Sequence, residues 1–390
     1  MMKVGRFFIK LLILLMVLLS IAGCWNRREL DNLAIVSGLA IDKAEESEKI
    51  QLTAQILKPG NLSIAAAGGA GDGGRAERPY WNLTETGNTV FETIRALTHK
   101  SNRRLFLPHN EIVIFSEDIA KEGIQKYMDF IIRDHELRRL IYVLVSKGKA
   151  SEILESKTEL EQIPAISISQ LIEVRDATSE SSAVNLQEFM NRLMSKTTAP
   201  IASLIEVVGK EKTALLMGTA VFKKDKLAGF LGREETRGLQ WVIGEVKSGI
   251  IVVDCPNGKG KASLEIIRAN SKITPEIKDD TLHIKVEINE EGNLGEEMCS
   301  VDLSKPEVWM SIERRKAVVI RKEVMAALKK AQEWNTDIFG FGDAVHRKYP
   351  KLWKYIESQW DDFFPSLEVT VIVKAKLRRS GMITKPAKPE

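Results

Sequence analysis

The sequence predicts an α+β protein of three mixed α/β domains, exported behind a cleaved signal peptide. Three observations carry this. The N-terminus is charged, then apolar, and short; strand-like runs alternate with helical periodicities; and turn-rich breaks fall near residues 200 and 258. The expected units are the signal at 1–23, an N-terminal mixed α/β domain at 24–199, a small middle domain with a hairpin at 200–258, and a C-terminal α+β domain with a long helix at 259–390.

The signal comes first. Lys3, Arg6 and Lys10 make a positive start with no acidic residue among them, and an unbroken apolar run follows from Leu11. From Leu11 to Gly23 there are 13 residues. A helix needs roughly 20 predominantly apolar residues to cross the hydrocarbon core, so this run is too short for a comfortable permanent span. The run ends in Ile21-Ala22-Gly23-Cys24, which resembles the lipobox of bacterial lipoproteins. Small side chains at Ala22 and Gly23 expose the backbone to processing enzymes, and Cys24 supplies the nucleophile that takes an S-diacylglycerol and, after cleavage, an N-acyl group. One acyl chain binds a membrane marginally and two or more hold firmly, so Cys24 is expected to be a stable anchor.

Beyond a polar tether, Ala34–Asp42 reads as a buried strand, and Ile50–Lys58 as a second, with Ile50, Leu52, Ala54 and Ile56 alternating with polar neighbours. Pro59 to Pro79 is rich in glycine and alanine. No Gly-Lys-Ser/Thr follows it, so a surface loop is expected rather than a phosphate cradle. Asn88–His99 reads as a helix and Glu111–Phe115 as a strand. Ser116, followed by Glu117 and Asp118, opens a helix through about Arg133. Leu140–Val145 is another strand, and Asn185 with Glu188 forms a capping box for a helix ending near Thr197. In the middle unit, Ala214–Phe222 and Leu227–Leu231 flank a hairpin turn at Lys223–Lys226, and Ile250–Cys255 is a strand. The last unit has strands near Ala262–Ala269 and Leu282–Ile288 and a long amphipathic helix from Ser304 to about Trp334. A short helix at Leu352–Trp360 and a final strand at Leu367–Leu377 complete it.

Composition excludes several classes. Lys+Arg number 57 against 53 Asp+Glu, and three of those cations leave with the signal, so nothing suggests a nucleic-acid partner. Cys255 and Cys299 are the only cysteines after Cys24, too few for a disulfide scaffold, and are read as two separate thiols, although an exterior location would permit pairing. None of the five histidines stands at metal-ligand spacing from another His or a Cys, and no nucleophile elbow or calcium loop occurs. No cofactor, metal or catalytic residue is therefore expected. His109 is read as a satisfied histidine at a strand entrance, and the charged run Arg133–Arg139 as a solvated helix end. Trp353, Trp360, Phe363 and Phe364 are read as core rather than a ligand-binding aromatic box.

Several blocks, in order, resemble one family, the C subunits of spore germinant receptors, or Ger(x)C family lipoproteins. They are Gly23-Cys24-Trp25-Asn26-Arg27-Arg28-Glu29-Leu30, Val36–Asp42, Arg104–His109, Gly218–Lys223, Glu235-Thr236-Arg237-Gly238, Asp337–Gly342 and Tyr349–Trp353. The resemblance implies a three-domain α+β lipoprotein of endospore-forming bacteria, tethered on the outer face of the spore's inner membrane. It also implies integral-membrane A and B subunits as partners, which sense and transmit small germinants in nutrient-triggered germination, and a non-enzymatic role for this subunit. Only Cys24 transfers as a functional residue. An exported solute-binding lipoprotein and a cell-envelope hydrolase are the alternatives. The first needs two similar lobes around a cleft, and the second a nucleophile or metal constellation.

Overall fold

The computed structural model describes residues 32–45, 48–60, 78–256, 258–299 and 305–379, with scattered positions between 5 and 16. Cys24, the polar tether and the glycine-rich stretch at 61–77 lie outside the described residues.

The chain enters through β1 (Leu33–Lys43), which forms an antiparallel meander with β2 (Ile50–Leu57) and β3 (Tyr80–Gly87). Helix α1 (Val90–Leu97) follows, its first turn capped by Thr89 Oγ1, which accepts from Glu92 N at 3.1 Å. Then come β4 (Arg104–Phe106) and β5 (Ile112–Ser116), both parallel to β1. One helix is expected from Ser116 to Arg133, but two are found: α2 (Glu117–Glu122) and α3 (Gln125–Arg133). The cause is Gly123, whose φ of 118° ends the first helix in a conformation closed to most L residues.

β6 (Tyr142–Ser146) lies parallel to β5 and is followed by α4 (Ala150–Ile153), α5 (Pro164–Glu173) and α6 (Leu186–Leu193). The expected capping box at the start of α6 is present, though the helix ends at Leu193 rather than near Thr197. β7 (Ile201–Val208) is parallel to β6, and β8 (Thr213–Lys223) and β9 (Lys226–Leu231) complete the sheet as the expected hairpin. The resulting nine-stranded sheet runs β3-β2-β1-β5-β6-β7-β8-β9, with β4 on the side of β1, and is continuous across residue 200.

Helix α7 (Arg233–Ile243) leads to the second sheet, ordered β10-β11-β12-β13. It comprises β10 (Ile250–Asp254), β11 (Lys261–Lys278) and β12 (Thr281–Glu297). The strands expected at 262–269 and 282–288 thus belong to a longer ribbon. Its tight turn is Asp279-Asp280, with φ of 47° and 59°, the twist that suits a two-residue hairpin. Helix α8 (Pro306–Glu333) crosses back over this sheet and against α7. Proline occupies its first turn and Lys305 its N-cap without a side-chain cap, while Ser304, expected to cap it, lies outside the described residues. Short helices α9 (Phe341–Lys348), α10 (Pro350–Ile356) and α11 (Trp360–Phe363) precede β13 (Glu368–Leu377), which runs parallel to β12.

The reading of Cys255 and Cys299 as separate thiols is corrected: they form a disulfide, with Cα atoms 5.6 Å apart. Strand register explains it. β11 lies between β10 and β12, pairing Lys261 with Asp254 on one side and Ala262 with Glu297 on the other. Both cysteines therefore leave their strands at the same end of the sheet. Sequence spacing cannot show this, because it depends on which strand lies between them.

Candidate functional site

Cys24, the one functional residue expected from the sequence, lies outside the described residues. The other residues weighed there are placed as follows. His109 is exposed, its ring 5.7 Å from that of Phe106. Within the charged run after α3, Arg133 pairs with Asp129 at 2.8 Å in solvent, and the largely buried Glu136 with the exposed Arg104 at 3.5 Å. Trp353, Trp360 and Phe364 are buried, the two indoles 5.4 Å apart, whereas Phe363 is partly exposed. Among the described residues no group of three His, Cys, Asp or Glu could hold a metal, and no helix is long and apolar enough to cross a membrane. The two sheets differ in strand number and order, so they do not form a pair of similar lobes.

What the structure brings together instead is a set of buried joints, and the sequence blocks quoted above fall on them. In β1, the carboxylate of Asp42 accepts from Ala150 N at 2.6 Å and Ser151 N at 2.9 Å, fixing the start of α4. A Cβ on Gly38 of the same strand would press into Ala165 of α5. Gly218, with φ of 100°, lets β8 pass the carbonyl of Leu231.

The central joint lies between α7 and α8. Arg237 grips Glu323 through Nε, at 3.0 Å, and through Nη2; Trp241 Nε1 donates to the same carboxylate at 2.8 Å. Arg237 Nη1 also donates to Ile250 O at 3.2 Å, which ties β10 to the joint. Burial opposes the Arg237 charge, but Glu323 more than offsets it, and the guanidinium is held above its usual pKa. The two backbones meet here, since a Cβ on Gly238 would overlap the Glu323 carbonyl. On the other side of α7 a buried chain links Gln240, Ser182, Thr219 and Thr236, the steps being 3.0, 2.6 and 3.0 Å.

About two turns towards its N-terminus, α8 presents Lys316 to Glu290 of β12 at 2.5 Å, both side chains fully buried. Burial pushes the Glu290 carboxyl up and the Lys316 ammonium down, each towards its neutral form. The third joint is the turn after α8. Asp337 Oδ1 accepts from the N–H groups of Phe339, Gly340 and Phe341 at 2.9–3.2 Å, and Oδ2 from Gly342 at 2.8 Å. Its complete burial raises the carboxyl to about 6 despite these four donors. Thr197 and Thr198, just ahead of β7, donate to Asp343 at 2.9 and 2.6 Å, pinning this turn to the first sheet.

These joints are committed to the interior. Their charges are consumed by one another, and what they do is fix the two sheets and the long helix in one arrangement. Sequence reasoning missed Arg237, Glu323, Lys316 and Glu290 as a group. Their signal was the presence of Lys316 and Glu323 on the same stripe of α8 as Ile312, Ile320, Val324 and Ala327, where a charge needs a buried partner.

An α+β body of two unlike sheets, locked by buried ion pairs, defines a structural class. Comparison with known proteins gives that class its family. Residues 26–207 match a family described as "Spore germination protein N-terminal domain", and residues 217–381 one described as "Spore germination B3/ GerAC like, C-terminal". Spore germination protein KC of Bacillus subtilis (strain 168) is 30% identical over 97% of this chain and 98% of its own length. Spore germination protein YndF of the same organism is 27% identical, covering 98% of each. Among solved structures, the crystal structure of the GerBC protein matches with a TM-score of 0.58 and 19% identity, covering 87% of this chain and 96% of that one, and so shares the fold. The chain belongs to the Ger(x)C family of spore germinant receptor C subunits.

Proposed function

We propose that the chain is a lipid-anchored, non-enzymatic subunit of a spore germinant receptor, acting with integral-membrane A and B subunits in nutrient-triggered germination. The observation that carries this is the end-to-end relationship with spore germination protein KC, 97% of this chain against 98% of that one. The anchor rests on Ile21-Ala22-Gly23-Cys24, with S-diacylglycerol and N-acyl groups on Cys24 holding the body at the outer face of the spore's inner membrane. The division of the body at residues 199 and 258 is proposed as one of folding units rather than sheets.

Tethering sets the effective concentration of the subunit beside its membrane partners. Cys24→Ala removes the thiol that is acylated, so diacylglyceryl labelling is lost and the protein remains as precursor or is released. Spores carrying the variant germinate poorly with their cognate germinant and normally with a receptor-independent trigger. Lipid labelling or membrane retention of the Ala variant overturns the anchor. Normal germination with the protein demonstrably released overturns the role.

A further inference from the structure

Four strand ends converge where the tether joins the body. β1 begins there at Leu33, which is in register with Arg104 of β4, and β2 ends there at Leu57, opposite Tyr80 at the start of β3. Between them lies an open groove of about 630 Å³. Its lining includes Leu57, Pro59 and the partly exposed Trp81, together with Lys58 and Arg103, and among the described residues it includes no carboxylate. The rim adds a further cation, Arg78, which is exposed 5.9 Å from the Tyr80 ring, whereas Arg104 is paired with Glu136.

The tether limits what this end can face. Asn32, the first residue of the body, is eight residues after Cys24. At no more than about 3.6 Å per residue, Asn32 stands within roughly 29 Å of the acylated residue. A compact body of this length is roughly 50 Å across. With its opposite end turned to the bilayer, Asn32 would stand higher than the tether reaches. The groove end is therefore the end held near the membrane.

We propose that this groove end is a membrane-contact face: Lys58 and Arg103 engage anionic phospholipid headgroups while Trp81 enters the interfacial layer beside them. The chemistry matches the place, because an indole with one apolar body and one N–H favours the boundary between headgroups and acyl chains, and cations within a Debye length of an anionic leaflet are drawn to it. The contact fixes how the body is turned about its anchor, and so which faces remain open to membrane-embedded partners. It rests on the anchor at Cys24.

The test uses the acylated full chain reconstituted in vesicles whose phosphatidylcholine carries brominated acyl chains, with or without phosphatidylglycerol. Trp25→Phe is the background, because Trp25 adjoins the anchor and would be quenched in any orientation. Bromolipid is expected to quench tryptophan emission in vesicles containing phosphatidylglycerol, and a further Trp81→Phe change removes the quenched component. Lys58→Gln and Arg103→Gln each weaken the contact about 5-fold, the equivalent of about 1 kcal/mol per basic residue. Lys329→Gln, an exposed cation on α8, leaves it unchanged. A floating, acylated chain with no bromolipid quenching, or with quenching indifferent to Trp81→Phe, retains the anchor and overturns the face. A chain that neither floats with the vesicles nor carries lipid overturns both readings.

Discussion

In the nine-stranded sheet the central strands are buried on both faces: Ile112 and Ile114 of β5 pack into one layer, with Ile168 and Ile172 of α5, and Val113 and Phe115 into the other. In the four-stranded sheet β12 buries Ile284, Val286 and Ile288 on one face only, while Ile267 and Ile277 of β11 and Ile372 of β13 remain partly exposed. Parallel strands covered by helices on both sides gather their stability from many interchangeable apolar contacts. A sheet covered on one face, by the long α8 with α7 and α9 beside it, depends on what fastens that helical layer. Here the fasteners are few and specific: Arg237–Glu323, Lys316–Glu290, the Asp337 turn and the Cys255–Cys299 disulfide. The comparison teaches that a single substitution damages the second sheet more readily than the first, although the first is larger.

The strongest way to break that contrast is Glu323→Ala. It leaves the Arg237 guanidinium and the Trp241 N–H buried without their acceptor, and removing one partner of a buried pair costs about 3–5 kcal/mol. Thermal or urea unfolding of the variant checks this. Replacing Arg237 and Glu323 together by Met is expected to recover most of the loss, since the penalty comes from the stranded charge. A Glu323→Ala protein as stable as the parent would mean the joint is solvated and α8 is held by packing alone.

Next in size is the disulfide. Cys255 and Cys299 are 44 residues apart, a loop whose closure in the unfolded chain is worth about 2–4 kcal/mol. The double Ser variant should unfold at lower temperature, and reductant should lower the melting point of the parent but not of the variant. Equal sensitivity of both proteins to reductant would show that the bridge contributes nothing.

How much of this was legible in the sequence follows the same division. The buried strands of the first sheet announce themselves as apolar runs, as at Ala34–Asp42, and the Asn185–Glu188 box marks its helix directly. β3 did not: Trp81, Asn82, Thr84 and Glu85 give an edge strand a polar face that reads as loop. α7 was missed because its N-cap is Gly232 and its buried face carries Arg237 and Gln240 rather than aliphatic residues. The anchor proposed at Cys24 rests on a linear motif, which needs no fold to be read. The joints were not legible, because the sequence Glu313-Arg314-Arg315-Lys316 does not say which charge faces inward; that is decided by Glu290, 26 residues away on another strand.

The effect expected to be smallest at neutral pH is also the one that sharpens the comparison most, because it carries a pH signature. Asp337 is fully buried and its carboxyl is raised from 3.8 to about 6. A group whose folded pKa lies above its unfolded value favours the folded state most while it is protonated in both. That contribution is complete below pH 4 and is lost as pH rises through about 6, a swing of roughly 3 kcal/mol. Asp337→Asn cannot titrate, and its amide nitrogen presents a donor to one of the four N–H groups that Asp337 accepts. Losing good acceptors for buried backbone donors costs about 1–3 kcal/mol at neutral pH. The gap in unfolding free energy between parent and Asn variant should therefore be widest near pH 4 and narrow towards pH 7. Urea titrations at a series of pH values measure it. A gap that stays constant across this range would show that Asp337 is charged throughout and that its four N–H donors outweigh its burial.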